Sequence, residues 1–324
     1  MREAIMNFNL QFGYRLVVEN KNRLKKYRKF IVAGMGGSHL SGDLIRAVYP
    51  DIDITIHSDY GLPYVSKTDV KHTLVIASSY SGNTEETIDA FRTAIKRKIP
   101  LAAMTTGGIL LNHAKKQNIP YVELPETGIQ PRMSLGFGVL ALLSLVGRGE
   151  SIGELSLLVD RLRPRDFEKK GKSLAKKLYG RTPIIYSSLR NYAIAYNWKI
   201  KFNETGKVPA FYNILPELNH NEMTGFDVKK RTKKFSDYFY FIFLMDSEDD
   251  SRVGTRMRIL EELYQKRGLR VAVLPLIGTT RFEKIFSSLI TADWTAFHTA
   301  TQYGLEAEQV PMVEEFKKSM RGRS

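Results

Sequence analysis

The sequence predicts a doubly wound α/β fold with parallel sheets, arranged as two domains over residues 1–150 and 151–324. Three observations carry this. Short apolar runs alternate with stretches of helical periodicity, the pattern of repeated β-α-β units. Two of the runs, Arg28–Ala33 and His72–Ala77, enter turns rich in Gly and Ser that open helices. The alternation stops around Gly147–Gly153 and then restarts, which marks the boundary.

Taken in order, residues 7–27 read as a helix with a basic end. Arg28–Ala33 is a strand entering Gly34-Met35-Gly36-Gly37-Ser38, and Leu44–Val48 continues as a helix. Ile52–His57 is the second strand and His72–Ala77 the third. The next helix begins near Thr87, where Ile88, Phe91 and Ile95 recur at helical spacing. Leu101–Met104 and Tyr121–Leu124 are strands on either side of a helix that starts after Thr105-Thr106-Gly107-Gly108. Gln130-Pro131-Arg132 precedes an apolar helix over 133–147, with Pro at an early helical position. In the second half, 154–179 is a charged amphipathic helix. Pro183–Ser187, Phe235–Met245 and Val271–Leu276 are strands. Tyr192–Phe202, Arg252–Arg267, Phe282–Tyr303 and Val313–Met320 are helices.

Composition narrows the function. The hydrophobic fraction is 43%, and 324 residues suffice for two cores. No apolar run reaches the roughly 18 residues of a membrane span, and the start Met1-Arg2-Glu3-Ala4 has no secretory h-region. A cytoplasmic protein with no membrane association is expected. The chain has no Cys, which excludes disulfides, thiolate catalysis and Cys-based zinc sites. The net charge of +15 is spread over separate runs and is unaccompanied by RNP-type or zinc-finger spacing. Most of it reads as solvated surface, so nucleic acid is not an expected partner. The same bias would steer anionic small molecules.

The central candidate is Ser79-Tyr80-Ser81-Gly82-Asn83-Thr84. A strand-to-helix turn aims backbone N–H groups and short hydroxyls at one spot, with the positive end of the helix dipole behind it. That arrangement suits a phosphate. It lacks the Gly-x4-Gly-Lys-Ser/Thr pattern, so a nucleotide is not implied. Taken singly, such a turn could be a hydroxyl-rich helix cap. The second turn, Gly34 to Ser38, favours one site that grips a phosphorylated ligand, because glycines admit a ligand close to the backbone. Arg132 is a candidate fixed cation, or else an ordinary surface Arg. Polar residues are densest in Asn203-Glu204-Thr205-Gly206-Lys207 and Pro216-Glu217-Leu218-Asn219-His220-Asn221-Glu222. Glu204 could be a general base. Glu217, His220 and Glu222 could act as bases or as metal ligands; Glu217 and His220 are spaced like a helical Glu-x-x-His ligand pair, but no second pair matches them.

These segments together resemble the bifunctional phosphoglucose/phosphomannose isomerase family, within the sugar isomerase (SIS) superfamily. The resemblance runs through most of the chain in order, and Pro216 to Glu222 is its most specific part. It implies two SIS-type, flavodoxin-like domains, a homodimer, and interconversion of hexose 6-phosphate aldoses with fructose 6-phosphate, without metal or cofactor. By motif, it implies that Gly37, Ser38, Ser79, Ser81 and Thr84 hold the phosphate. Glu204 would move the proton between C1 and C2, and Arg132 would stabilise the enediolate. His220 would assist ring opening from the partner subunit, together with Lys317, for which Lys318 is the rival. The sequence departs from the family at His39, where a small residue is usual, and at Asn203-Glu204-Thr205-Gly206, where Glu-Asn-Ala is common. The alternative is a non-catalytic SIS-domain sensor of sugar phosphates, which would have no need of Glu204, Arg132 and His220.

Overall fold

The computed structural model describes residues 1–321. Its packing divides the chain into two compact units. One comprises residues 6–163 with 281–283, and the other the remainder.

The first unit is built on a six-stranded sheet. Its strands are β1 (Val18–Glu19), β2 (Lys29–Ala33), β3 (Asp53–His57), β4 (Thr73–Ser78), β5 (Leu101–Thr105) and β6 (Tyr121–Glu123). They lie in the order β1-β6-β5-β4-β2-β3. β2 to β6 are mutually parallel, and their order is that of flavodoxin-like sheets. β4 is buried along its whole length, as a central strand with helices on both faces should be. Ile31, Val75, Phe91, Leu101 and Leu110 form the core on one face.

The edge strand β1 departs from the expected all-parallel sheet, because it pairs antiparallel with β6. The helix expected over 7–27 is absent. Phe8–Gly13 is instead a 3-10 turn that buries Phe8 and Phe12. Gln11 secures it by donating to Met133 O at 2.7 Å and accepting from Gly136 N at 3.0 Å. A further departure lies at 154–179. Pro164, which has no N–H to continue a helix, separates Leu158–Arg161 from a later helix at Glu168–Lys177. The residues after Gly149 pack with the first unit: Leu155 and Leu158 are buried, and Asn9 Nδ2 donates to Val159 O.

The second unit holds a four-stranded, all-parallel sheet. Its strands are β7 (Thr182–Ser188), β8 (Phe211–Leu215), β9 (Phe239–Met245) and β10 (Arg270–Pro275), in the order β10-β9-β7-β8. Tyr186, Leu218, Phe241, Phe243 and Tyr264 form an aromatic core on one face. β9 begins four residues later than expected, because Lys233–Ser236 is a helical turn. β8 was not expected as a strand at all. Its apolar residues are interrupted by Asn213, and only Leu215 among them is buried.

Candidate active site

In an open parallel sheet the ligand crevice lies at the carboxyl ends of the two strands where the chain order reverses. In the first unit these are β2 and β4. The two Gly/Ser turns follow those two strands. They are also interlocked. Ser38 Oγ accepts from Tyr80 N at 3.0 Å, and Ser78 Oγ donates to Ser38 O at 2.6 Å. Gly34 and Gly37 permit the close approach. A Cβ on Gly34 would lie 2.6 Å from Ser78 O, and one on Gly37 would lie 2.8 Å from Arg132 N. The backbone of Pro131-Arg132 is therefore pressed against the first turn. Arg132 itself is 2% exposed, so the reading of it as an ordinary surface Arg does not hold.

In the second turn, Ser79 Oγ and Thr84 Oγ1 share a hydrogen bond of 2.9 Å, and Gly82 N donates to Ser79 Oγ at 3.1 Å. Ser81 is exposed and accepts from Asn83 N. Thr84 stands at the N-cap of Glu85–Lys96, yet its hydroxyl makes no capping bond. The hydroxyls thus face each other rather than the helix end. Gly37, Ser38, Ser79, Ser81, Thr84 and the backbone at Arg132 therefore belong to one cluster, at the switch point of a buried sheet.

Sequence reasoning missed the support behind this cluster. Thr106 N and Thr106 Oγ1 both donate to Tyr80 O, at 3.0 and 2.7 Å. Thr105 Oγ1 and Gly107 O meet at 2.9 Å beneath Gly82. The signal was present as Thr105-Thr106-Gly107-Gly108 directly after a strand. His39, the departure from the family pattern, is buried and bonds Asp43 Oδ2 through Nδ1 at 2.8 Å. Its ring is committed along its own helix.

We expect Ser79→Ala and Thr84→Val each to raise the Michaelis constant for a sugar phosphate more than they lower turnover. A hydroxyl bonded to a charged oxygen contributes about 1.5–3 kcal/mol. Steady-state kinetics of the two variants is the check, and unchanged Michaelis constants would reduce the turn to a structural element.

In the second unit, Glu204 is the last residue of the helix Tyr192–Glu204. That helix is fixed by buried polar contacts. Lys201 Nζ bonds Asp293 Oδ1 at 2.6 Å with both side chains 1% exposed, and Trp198 Nε1 donates to Ser288 Oγ at 3.0 Å. Such a pair is costly to break from one side, because the remaining charge is stranded. The half-buried Glu204 thus sits one turn beyond a rigid anchor. Lys207 Nζ donates to Glu204 O at 2.6 Å. A crossover helix between parallel strands ends at the amino end of the next strand, so Glu204 lies at the amino end of β8. His220 follows the carboxyl end of β8 and is exposed, while buried Leu218 anchors its turn. Glu204 thus precedes, and His220 follows, the five-residue strand β8. Lys317 lies on the exposed helix Pro311–Arg321 and pairs with Glu314 at 2.8 Å; Lys318 beside it is also exposed. Glu204, His220 and Lys317 thus stand on three separate elements.

Glu217 and Glu222 have other partners. Glu217 accepts from Asn221 Nδ2 at 2.8 Å, and Glu222 accepts from Tyr186 and Asn213. Burial, reinforced by Tyr264 and the charge of Glu222, pushes the Tyr186 hydroxyl far above its ordinary range, so it remains a donor. Among the described residues no group of three or more His, Cys, Asp or Glu is placed to hold a metal ion. Among them, too, no helix is long and apolar enough to cross a membrane.

The switch point of the second sheet, between β7 and β9, is differently furnished. Arg190 pairs with Asp246 at 3.2 Å and Glu248 at 2.6 Å, and Lys284 pairs with the same two carboxylates at 2.8 and 2.6 Å. Ser188 Oγ and Asn191 Nδ2 both donate to Asp249. The ammonium of Lys284 and the guanidinium of Arg190 hold the Glu248 carboxyl below its usual range against the opposing effect of burial.

Two flavodoxin-like sheets, with a hydroxyl cluster at the switch point of the first, define an SIS-type α/β protein. Residues 167–320 match the family described as bacterial phospho-glucose isomerase C-terminal SIS domain. The chain is 35% identical to the bifunctional phosphoglucose/phosphomannose isomerase of Caldicellulosiruptor bescii, over 90% of this chain and 89% of that one. It is 30% identical to the protein of the same name from Aquifex aeolicus, over 98% of each. Among solved structures, a hypothetical protein of Thermus thermophilus shares the fold with a TM-score of 0.71 at 16% identity, covering 99% of this chain and 88% of that one. The protein belongs to the bifunctional phosphoglucose/phosphomannose isomerase family.

Proposed function

We propose that the protein interconverts glucose 6-phosphate and mannose 6-phosphate with fructose 6-phosphate. The observation that carries this reading is the hydroxyl cluster at the first switch point, with a buried Arg against it, in a chain of this family. Ser38, Ser79, Ser81 and Thr84 bind the phosphate, with the backbone at Gly37. Isomerisation of an α-hydroxy aldehyde needs one base and one cation. The Glu204 carboxylate takes the C2 proton of the open-chain aldose, and the electron pair moves to the carbonyl oxygen. Arg132 stabilises the resulting enediolate. Glu204 then returns the proton to C1, while the proton of the C2 hydroxyl passes to O1, so that C2 becomes the ketone and C1 carries the hydroxyl.

The cyclic sugar must first open. One group donates a proton to the ring oxygen and another removes the proton of the anomeric hydroxyl. His220 and Lys317 are suited to this exchange. The homodimer belongs to the same proposal. Glu204 and His220 of one chain stand toward opposite ends of β8, which supports a site that takes His220 from the partner subunit. No step calls on a metal or cofactor, and the substrates reach the enzyme from solution in the cytoplasm.

A coupled assay tests the proposal. Both aldose phosphates should be converted to fructose 6-phosphate at rates insensitive to a chelator. Loss of activity in chelator, restored by zinc, would overturn the metal-free mechanism, and failure to convert either sugar would overturn the function.

A further inference from the structure

Lys207 is one of four non-glycine residues with positive φ in the described chain, at +58°. That conformation is uncomfortable for a side chain with a Cβ and persists only where surrounding contacts hold it. Here Gly206 N donates to Lys201 O at 3.0 Å, Val208 N to Phe202 O at 3.3 Å and Asn203 Nδ2 to Val208 O at 3.0 Å, and the Lys207 ammonium adds contacts of its own. It donates to Glu204 O at 2.6 Å, and also to Gln309 O. The second carbonyl lies just before the helix Pro311–Arg321 that carries Lys317.

The segment around Gln309 is itself pinned. Glu306 accepts from Glu308 N at 2.7 Å and Gln309 N at 2.6 Å, and the amino terminus pairs with Glu308 at 2.5 Å. At Glu306, burial opposes ionisation, but those two N–H groups and the nearby charges of Lys207 and the amino terminus hold its carboxyl below the usual range. The approach to the last helix therefore ends on a small rigid joint, and Lys207 ties the Glu204 turn to it. On the other side of Glu204, one turn back, Lys201 is locked to Asp293. Glu204 is bracketed by two lysines that each hold backbone or core rather than solvent.

We propose that Lys207 is a positioning residue: its ammonium clamps the Glu204 and Gln309 carbonyls, setting the carboxylate base and the C-terminal helix as one unit. This rests on the reading of Glu204 as the base. Lys207 acts through Glu204 and is not assigned a contact with the sugar. A misplacement of about 1 Å can cost roughly a hundredfold in rate. Release of the clamp should therefore appear in turnover. The phosphate cluster stands on other elements, so the Michaelis constant should change little.

The test exploits the positive φ. Lys207→Gly suits the backbone conformation while removing the ammonium, so it separates the clamp from backbone strain. We expect a fall in kcat of about tenfold to a hundredfold, a Michaelis constant within about twofold of wild type, and an unchanged melting temperature. Lys207→Met, which keeps the aliphatic stem, should lose turnover similarly, and Lys207→Arg should recover part of it. A purely structural role would instead lower the melting temperature and leave turnover of the folded enzyme unchanged. If Lys207→Gly proves unstable, the kcat of Lys207→Met decides. Normal kcat in both variants overturns the clamp. Glu204→Gln measured in parallel separates two failures. An inactive Glu204→Gln beside a normal Lys207→Gly overturns the clamp alone. An active Glu204→Gln overturns the base assignment and, with it, this role for Lys207.

Discussion

Glu204→Gln should abolish isomerisation while leaving sugar-phosphate binding nearly intact. The amide has the shape of the carboxylate, so the substitution removes a base without opening a cavity, and the Lys201–Asp293 anchor one turn earlier is untouched. General base catalysis contributes roughly 10²–10⁴-fold, and the loss should be at least of that order. A carboxylate that serves both C1 and C2 exchanges its proton with solvent between the two steps. Wild-type enzyme in heavy water should therefore place deuterium at C2 of the aldose product, and the variant should not. The same variant tests subunit sharing. After subunit exchange with His220→Ala, a mixed dimer would hold one site with both lesions and one with neither, so activity should reappear. No recovery would place Glu204 and His220 in a site formed by one chain. Glu217→Gln and Glu222→Gln should retain much of the activity, because those carboxylates are engaged with Asn221 and with Tyr186 and Asn213. If either of them is dead while Glu204→Gln turns over normally, the base is misassigned.

Gly82→Ala should be the most damaging single methyl in the first unit. Gly82 has φ +69°, and a Cβ there would lie 1.8 Å from Gly107 O and 2.7 Å from Gly107 C. Both are backbone atoms of the loop that supports the turn, so no side chain can swing aside. Relief requires the 79–84 turn and the 105–108 loop to part, which disrupts the hydrogen bonds from Thr106 N to Tyr80 O and from Leu110 N to Gly82 O. We expect a loss of about 4 kcal/mol or more, in the range that signals a specific clash. Any folded fraction should bind sugar phosphate weakly. Gly61→Ala is the control. Gly61 has a similar φ, +66°, but a Cβ there meets nothing within 4 Å. It should lose only the intrinsic left-handed penalty, about 1–2 kcal/mol. Chemical denaturation of both variants gives the comparison. Equal losses would show that backbone conformation, and not the approach of the 107 carbonyl, makes glycine necessary.

The parts of the fold that were legible are those whose burial writes itself into composition. β4 is buried at every position, and its apolar run marks the strand and the turn that follows it. β8, an edge strand, is only five residues long, and Asn213 interrupts its apolar residues, so the segment shows neither regular alternation nor a continuous apolar run. The stretch 7–27 misled because its apolar residues suit a helix, while their partners lie far along the chain: Gln11 answers to Met133 and Gly136, and Val18 to Val122. Within 154–179, Pro164 interrupts the helical pattern, because it has no N–H to carry a helix through. At the candidate site, residue types point to the two Gly/Ser turns and to Arg132, but the burial of Arg132 runs against the usual behaviour of a cation. The clamp at Lys207 was out of reach. It depends on a positive φ and a carbonyl about a hundred residues away, and neither leaves a periodic trace.

The ion-paired end of the second sheet bears on how a duplicated architecture divides its labour. Both sheets reverse their strand order in the same way, and each therefore inherits a natural berth for an anion. In the second the berth is already taken by the protein's own acid: Asp246, with a fully buried side chain, receives Lys284 and Arg190. A phosphate arriving there would have to evict a carboxylate that it also repels. The cations there serve as internal mortar. Symmetry of plan has thus been kept, while the ends of the two sheets are furnished differently: hydroxyls and glycines in the first, paired charges in the second.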